Sequence, residues 1–267
     1  MTNIIVEKSF LWKYYSVMEQ TDTLLNGNKI IQDSDGFMFG IDAVLLAHFA
    51  KNGIKKNDIV IDLCTGTGIV PLLLEKAVPA GVSFAAVEIQ EKYAVLAKKS
   101  VDLNSLSDKI KIIHGDLRNA GSVFSKHSCN VVTCNPPYMI CEQGKNNPND
   151  EKTIARHEVC CTLSDVCEAA DFLLHTHGSF FMIHKANRLP EIFDCLLEHK
   201  MEPKRMQLIQ PFENEEANLV LVEARKNASK GLTVCPPIIV RYSEAPHKNE
   251  YTGQVNAIYK RMSETSR

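Results

Sequence analysis

From Lys29 onward, apolar and polar positions fall into alternating blocks of two kinds. Ile59-Val60-Ile61-Asp62-Leu63, Val82–Glu88, Ile110–His114 and Val131–Cys134 are short, β-branched and almost continuously apolar. Strands buried on both faces of a parallel sheet have that pattern. Between them lie stretches with helical spacing, such as Tyr93, Leu96, Ala97 and Val101 within Lys92–Leu103. The same reading predicts a strand at Lys29–Gln32, an apolar helix from Ile41 to Phe49 with Asp42 as its N-cap, and a helix through Leu74 and Ala77. Farther on it predicts helices at Leu163–His175 and Leu189–Glu198, a strand at Ser179–Ile183, and a closing strand pair at Met206–Gln210 and Leu219–Glu223. A βαβαβ alternation of this kind is the pattern of an α/β protein with a doubly wound sheet. Residues 1–28 do not settle into either pattern, and the tail from Lys226 is expected to form an edge hairpin and a terminal turn.

Composition narrows the classes. The chain has 267 residues, 45% hydrophobic and 23% charged, with a formal net charge of -2. That suits one globular α/β domain with appendages. Without a global basic field, contact with nucleic acid has to rest on a local patch. No apolar run approaches the roughly 20 residues of a membrane span, and the first apolar stretch contains Glu7 and Lys8, unlike a signal peptide. The nine cysteines have an odd count and no C-x-x-C pair. They read as reduced thiols in a cytoplasmic protein, and no ligand spacing suggests a metal.

The candidate chemistry sits at strand ends. The run Val131-Val132-Thr133-Cys134 stops in Asn135-Pro136-Pro137-Tyr138, where two prolines end the ladder and leave a rigid extended loop. In open α/β sheets that is where ligands bind. The loop offers an amide, carbonyls without a competing N–H and an aromatic ring, which suits a planar amino group; by itself it is equally a rigid turn. Ile59–Leu63 runs into Cys64-Thr65-Gly66-Thr67-Gly68 and then a helix, whose amides face a ligand. Pro71 stands where a dinucleotide fingerprint has its third glycine, which favours a ligand without a pyrophosphate. Glu88, at the next strand end, is placed for ribose hydroxyls. Asp116 either accepts from an adenine amino group or caps the following turn. The aromatic cluster Phe10–Tyr15 and the basic tail each read as ordinary packing or surface, or as RNA contacts.

Taken together, Asp62-x-x-x-Gly66-x-Gly68, Glu88, Gly115-Asp116 and Asn135-Pro136-Pro137-Tyr138 resemble class I AdoMet-dependent amino-group methyltransferases, over about residues 29–225. The block Ile31–Leu46, with Ala155-Arg156-His157-Glu158 and Cys235-Pro236-Pro237, looks like the bacterial tRNA adenine-N6 methyltransferase family, which acts on the anticodon-loop adenine of a valine tRNA. The resemblance implies a Rossmann-like core at 51–225, an N-terminal extension at 1–50 with a cofactor-covering segment, and a tail at 226–267. It implies that S-adenosyl-L-methionine is held by Asp62, Gly66 and Gly68 at its methionine end, Glu88 at its ribose and Asp116 at its adenine. Gln32, Phe39 and Gly40 would close over it, and Asn135, Pro136, Pro137 and Tyr138 would hold the target base, with Asn135 touching the cofactor side as well. His157 and His184 are expected to be structural hydrogen-bonders. A protein glutamine N5-methyltransferase, a ribosomal RNA base methyltransferase and a non-catalytic RNA-binding relative remain as alternatives. The first is disfavoured by the short stretch ahead of the first core strand.

Overall fold

A computed structural model describes residues 18–36, 38–138, 161–244 and 246–264. The aromatic cluster Phe10–Tyr15 and the loop from 139 to 158, with Arg156-His157-Glu158, lie outside these residues.

Ten strands and six helices are described. A two-stranded hairpin, β1 (Glu19–Thr23) and β2 (Lys29–Asp33), precedes the main sheet. The main sheet contains β3 (Ile59–Leu63), β4 (Ser83–Glu88), β5 (Ile110–His114), β6 (Cys129–Cys134), β7 (Leu174–Lys185), β8 (Met201–Gln210), β9 (Leu219–Lys226) and β10 (Thr233–Ile239). Their order is β10-β8-β9-β7-β6-β3-β4-β5. Pairing is parallel from β5 through β4, β3 and β6 to β7, and antiparallel where β9 meets β7 and β8. The chain leaves β3 toward β4 and β5, then returns to β6 on the opposite side. The topological switch therefore lies between β3 and β6, where doubly wound sheets bind their ligands.

The helices α1 (Ile41–Lys51), α2 (Ile69–Ala77), α3 (Glu91–Leu103), α4 (Leu163–Leu173), α5 (Leu189–Glu198) and α6 (Gly253–Ser263) cover both faces. The strands divide their side chains between two cores. Val60 and Phe181 pack with α1, α2 and α6, whereas Ile61, Leu63 and Phe180 pack with α4 and α5. This period-two division explains why β3 reads as wholly apolar.

The hairpin is held to the core by buried asparagines. Asn26 and Asn28 each donate a side-chain N–H to the Leu72 carbonyl of α2, at 2.7 and 2.9 Å. Strand β1, EQTDT, has no apolar residue and is mostly exposed, so its pairing left no hydrophobic trace in the sequence.

The C-terminal expectation needs correction. Among the described residues no edge hairpin forms: β10 runs parallel to β8, and in place of the terminal turn stands α6, a helix of about three turns packed on α1. Pro236 and Pro237 sit at an irregularity in the β10–β8 register between Cys235 and Ile238, and Pro203 sits at another in β8–β9. Prolines donate nothing to a ladder, so bulges and edges accommodate them. This is also why β8 begins at Met201, ahead of the expected Met206. The α/β alternation ends at β8, because β9 follows it without a helix and pairs with it directly.

Phe181 is fully buried in β7 and meets Phe49 of α1 edge-on, with ring centroids 6.1 Å apart. Gly53 leaves space for its ring. Phe181→Ala is expected to cost on the order of 3–5 kcal/mol of unfolding free energy, measurable by denaturant titration; a loss below about 1 kcal/mol would contradict this packing.

Candidate active site

Residues leaving the carboxyl ends of β3, β4, β5 and β6 surround a cavity of about 350 Å³. That size is ordinary for a small-molecule site.

The β3 end forms its floor. Cys64 at φ 57 and Gly66 at φ 57 turn the chain sharply, and Gly68 at φ 83 starts α2. Only open space surrounds the position where a Cβ of Gly66 would stand. Thr65, Gly66 and Thr67 line the cavity. Gly68 does not; its place in the structure is explained by packing, since a Cβ there would stand 3.4 Å from Ala97 of α3.

Glu88 ties the β4 end to this loop. Its Oε2 accepts the Gly66 N–H at 2.9 Å, and its Oε1 accepts the Gln90 N–H at 2.8 Å. Burial raises the carboxyl's pKa, while these two amides pull it back. Each oxygen keeps a further lone pair for a ligand hydroxyl. Tyr93 and Ile89 complete this wall.

Asp116 lines the cavity and also caps the 3-10 turn Leu117–Ser122, accepting the Arg118 N–H at 2.9 Å. The Arg118 guanidinium pairs with the same carboxylate at 2.6 Å and holds its pKa below the usual range. The capping role is therefore realised, and the acid still faces the cavity.

Asp62 departs from the expected placement. It lies behind the cavity wall, fully buried, and accepts the Thr133 hydroxyl at 2.5 Å across the β3–β6 pair. Neither its Oδ2 nor the Thr65 Oγ1 makes a well-formed hydrogen bond, although the Thr65 hydroxyl lies near enough to the carboxyl to work, with Thr133, against the effect of burial on it. Burial pushes the Asp62 carboxyl up to about 7. Gln32 is likewise buried away from the cavity: its Oε1 accepts the Phe39 N–H at 3.0 Å, and its Nε2 donates to Asp22 at 2.7 Å. It sets the backbone of Phe39, which with Gly40 does line the cavity.

The β6 end supplies Asn135, Pro136, Pro137 and Tyr138, all lining the cavity. The Tyr138 hydroxyl lies 2.7 Å from Asn135 Oδ1 and 3.1 Å from Asp42 Oδ2. His184 of β7 meets the Tyr138 ring edge-on at 5.5 Å, and Lys185 Nζ lies 5.2 Å from its centroid. Burial lowers the His184 pKa to about 4, and its Nδ1 accepts the Lys185 N–H at 2.8 Å. A neutral, hydrogen-bonded imidazole fits the structural part expected of it.

Sequence reasoning placed Asp42 as a helix cap. Gly40 is the N-cap of α1 instead, and Asp42 stands inside the first turn, turned to Tyr138. Tyr93, which in the sequence marks only the helical spacing of its stretch, also lines the cavity. Cys161, whose Sγ lies 3.7 Å from that of Cys64, reaches the cavity from beyond loop 139–158 and had no sequence signal at all. Among the described residues no cluster of side chains has the makings of a metal site, and no helix is long and apolar enough to cross a membrane.

The glycine loop, the strand-end acid bonded to it and the Asn-Pro-Pro-Tyr wall thus meet on one cavity at the switch point of an eight-stranded α/β sheet. The Rossmann-like sheet is shared with a predicted O-methyltransferase of Agrobacterium tumefaciens, which covers 85% of this chain and 99% of its own at 19% identity and a TM-score of 0.66. Residues 40–192 match the methyltransferase small domain, and the chain belongs to that family. Among its relatives, the tRNA1(Val) (adenine(37)-N6)-methyltransferase of Histophilus somni is 31% identical over 157 residues, 58% of this chain. The matched region spans only 63% of that relative's length. The enzyme of the same name from Tolumonas auensis is 22% identical over 88% of this chain and 94% of its own.

The position of Asp62 has a consequence in pH. Its pKa is higher folded than unfolded, so the folded state holds a proton that the unfolded state has lost. The stability Asp62 contributes is complete below about pH 4 and is lost as pH rises through about 7. Asp62→Asn, which keeps the Thr133 bond without the charge, should gain on wild type by up to about 1.4 kcal/mol per pH unit across that window. Thermal melts at several pH values check this; a constant difference between the two proteins would refute it.

Proposed function

We propose that the protein is a cytoplasmic, AdoMet-dependent N6-adenine methyltransferase acting on tRNA, at an adenine of the anticodon loop. The observation that supports it most is the convergence of Asn135-Pro136-Pro137-Tyr138 with the glycine loop and Glu88 on one cavity. The names of the Histophilus and Tolumonas relatives point the same way.

The residues present fit S-adenosyl-L-methionine. The open space at Gly66 admits its methionine end, the free lone pairs of Glu88 suit ribose hydroxyls, and Thr65 lines the same cavity. Asp116, Ile89 and Leu117 would hold the adenine. Bound there, the cofactor supplies a methyl group on a sulfonium leaving group.

The target nitrogen is a poor nucleophile, because its lone pair is delocalised into the adenine ring. Asn135 Oδ1 and the Pro136 carbonyl can each accept one of its hydrogens. Drawing both hydrogens toward these acceptors favours a tetrahedral nitrogen and frees the lone pair for in-line attack. Orientation and preorganised dipoles then provide most of the rate, and no strong base is needed. The neutral His184 stays a support for the Tyr138 ring. Lys185, exposed beside Tyr138, is placed to meet backbone phosphate. An anticodon-loop base is already partly unpaired, which lowers the cost of bringing it into the pocket.

Isotope-labelled AdoMet should label unmodified tRNA, with the label recovered as N6-methyladenosine. Label in a release-factor glutamine or in ribosomal RNA would move the substrate accordingly, and no transfer from a protein that binds AdoMet would remove the reading. Asn135→Ala should lower turnover by at least about a hundredfold while AdoMet affinity survives; near-normal turnover would refute the amide's part in the mechanism.

A further inference from the structure

One hydroxyl in the cavity faces two acceptors. Tyr138 Oη lies 2.7 Å from Asn135 Oδ1 and 3.1 Å from Asp42 Oδ2, yet a phenol has a single proton to give. Burial and the adjoining Asp42 carboxylate raise the Tyr138 pKa far above the usual phenol range, so that proton stays in place. As the structure stands, the shorter contact is to Asn135. That oxygen is the one an incoming amino group would use.

Asp42 is held for this contact. Its Oδ1 accepts the Ala43 N–H at 2.9 Å, which turns Oδ2 toward the tyrosine. A Cβ on Gly40 would stand 2.8 Å from Asp42 Oδ1, so the glycine at the start of α1 leaves the carboxylate its room. A hydroxyl hydrogen turns about the C–O bond without moving a heavy atom. A bond to a carboxylate is roughly twice as strong as one between neutral groups.

We propose that Asp42 is a positioning residue for methyl transfer: it draws the Tyr138 hydroxyl off Asn135 as the target amino group arrives, leaving Asn135 Oδ1 for that amine and fixing the ring plane of Tyr138. The inference rests on the amino-group methyltransferase reading above. It extends that reading to a residue of α1 which is remote in sequence from Asn-Pro-Pro-Tyr and acts through Tyr138. Asn135 accepts most strongly from one donor at a time, since a second donor on the same oxygen weakens the pull on each.

A double-mutant cycle tests it. Turnover, KM for tRNA and AdoMet affinity would be measured for Asp42→Ala, Tyr138→Phe and the double variant. Asp42→Asn serves as the isosteric form, and melting curves establish that each is folded. Asp42→Ala should lower kcat about tenfold, the scale of one charge-assisted hydrogen bond, with AdoMet affinity within about twofold of wild type. In the Tyr138→Phe background the same change should cost less than about twofold, because the hydroxyl it acts through is gone. An equal loss in both backgrounds would overturn the proposal, as would a loss of AdoMet affinity that accounts for the fall in rate. Wild-type transfer to tRNA, run alongside, separates the two levels. An active wild type with fully active Asp42→Ala removes the role of Asp42 alone, whereas an inactive wild type removes the methylation reading and this inference with it.

Discussion

The site depends on the lateral union of β3 and β6. Both strands run in the same direction, and each releases a cavity-lining loop at its carboxyl end. Thr133 of β6 donates to Asp62 of β3 just below those loops, in a wholly buried position. The bond fixes the stagger of the two strands, and so the separation between the glycine turn and the Asn-Pro-Pro-Tyr turn. A carboxyl that burial forces toward neutrality is a costly thing to place in a core. Here its position beneath two loops that line the cavity gives it a structural purpose. The Glu88 carboxylate performs the corresponding service one strand away, by bonding the Gly66 amide directly.

Much of the fold was legible because the sheet is parallel and doubly covered. Strands β3 and β5 and helix α5 match their expected bounds: β3 is buried at all but its first position, β5 keeps a compact β-branched run although it lies at the sheet's edge, and α5 opens on a proline that marks its start. Legibility failed where burial failed. Strand β1 is polar and exposed, and its partner is chosen by backbone hydrogen bonds and by asparagines reaching α2. Strand β10 contains two adjacent prolines that argue against any strand, and it survives as one only because it lies at the sheet's edge beside an irregular register.

Site residues divide in the same way. Glycines and strand-end acids were legible because their spacing along the chain equals the geometry of the βαβ unit. Gln32 and Asp62, expected at the cofactor, stand one layer behind the cavity, one setting the Phe39 backbone and the other bracing two strands. Spacing cannot distinguish a side chain that faces a cavity from one that faces its wall. Asp42 and Cys161 approach from elements far away in sequence, so only tertiary structure brings them in. Asp42 also has a strong local explanation, as an acid at a helix start, and that concealed its contact with Tyr138.

The prolines of β10 have a bearing on how the molecule behaves among its own copies. An outermost strand is a row of unspent amides and carbonyls, an invitation to a neighbouring chain to add itself to the sheet. Val234, beside them, is 62% exposed and would sweeten such an encounter. Pro236 and Pro237 offer two consecutive positions without an N–H, at the place where the ladder already loses its register. A strand arriving from solution would find the row of donors interrupted midway. The sheet thus ends where it does because its last member cannot serve as a template.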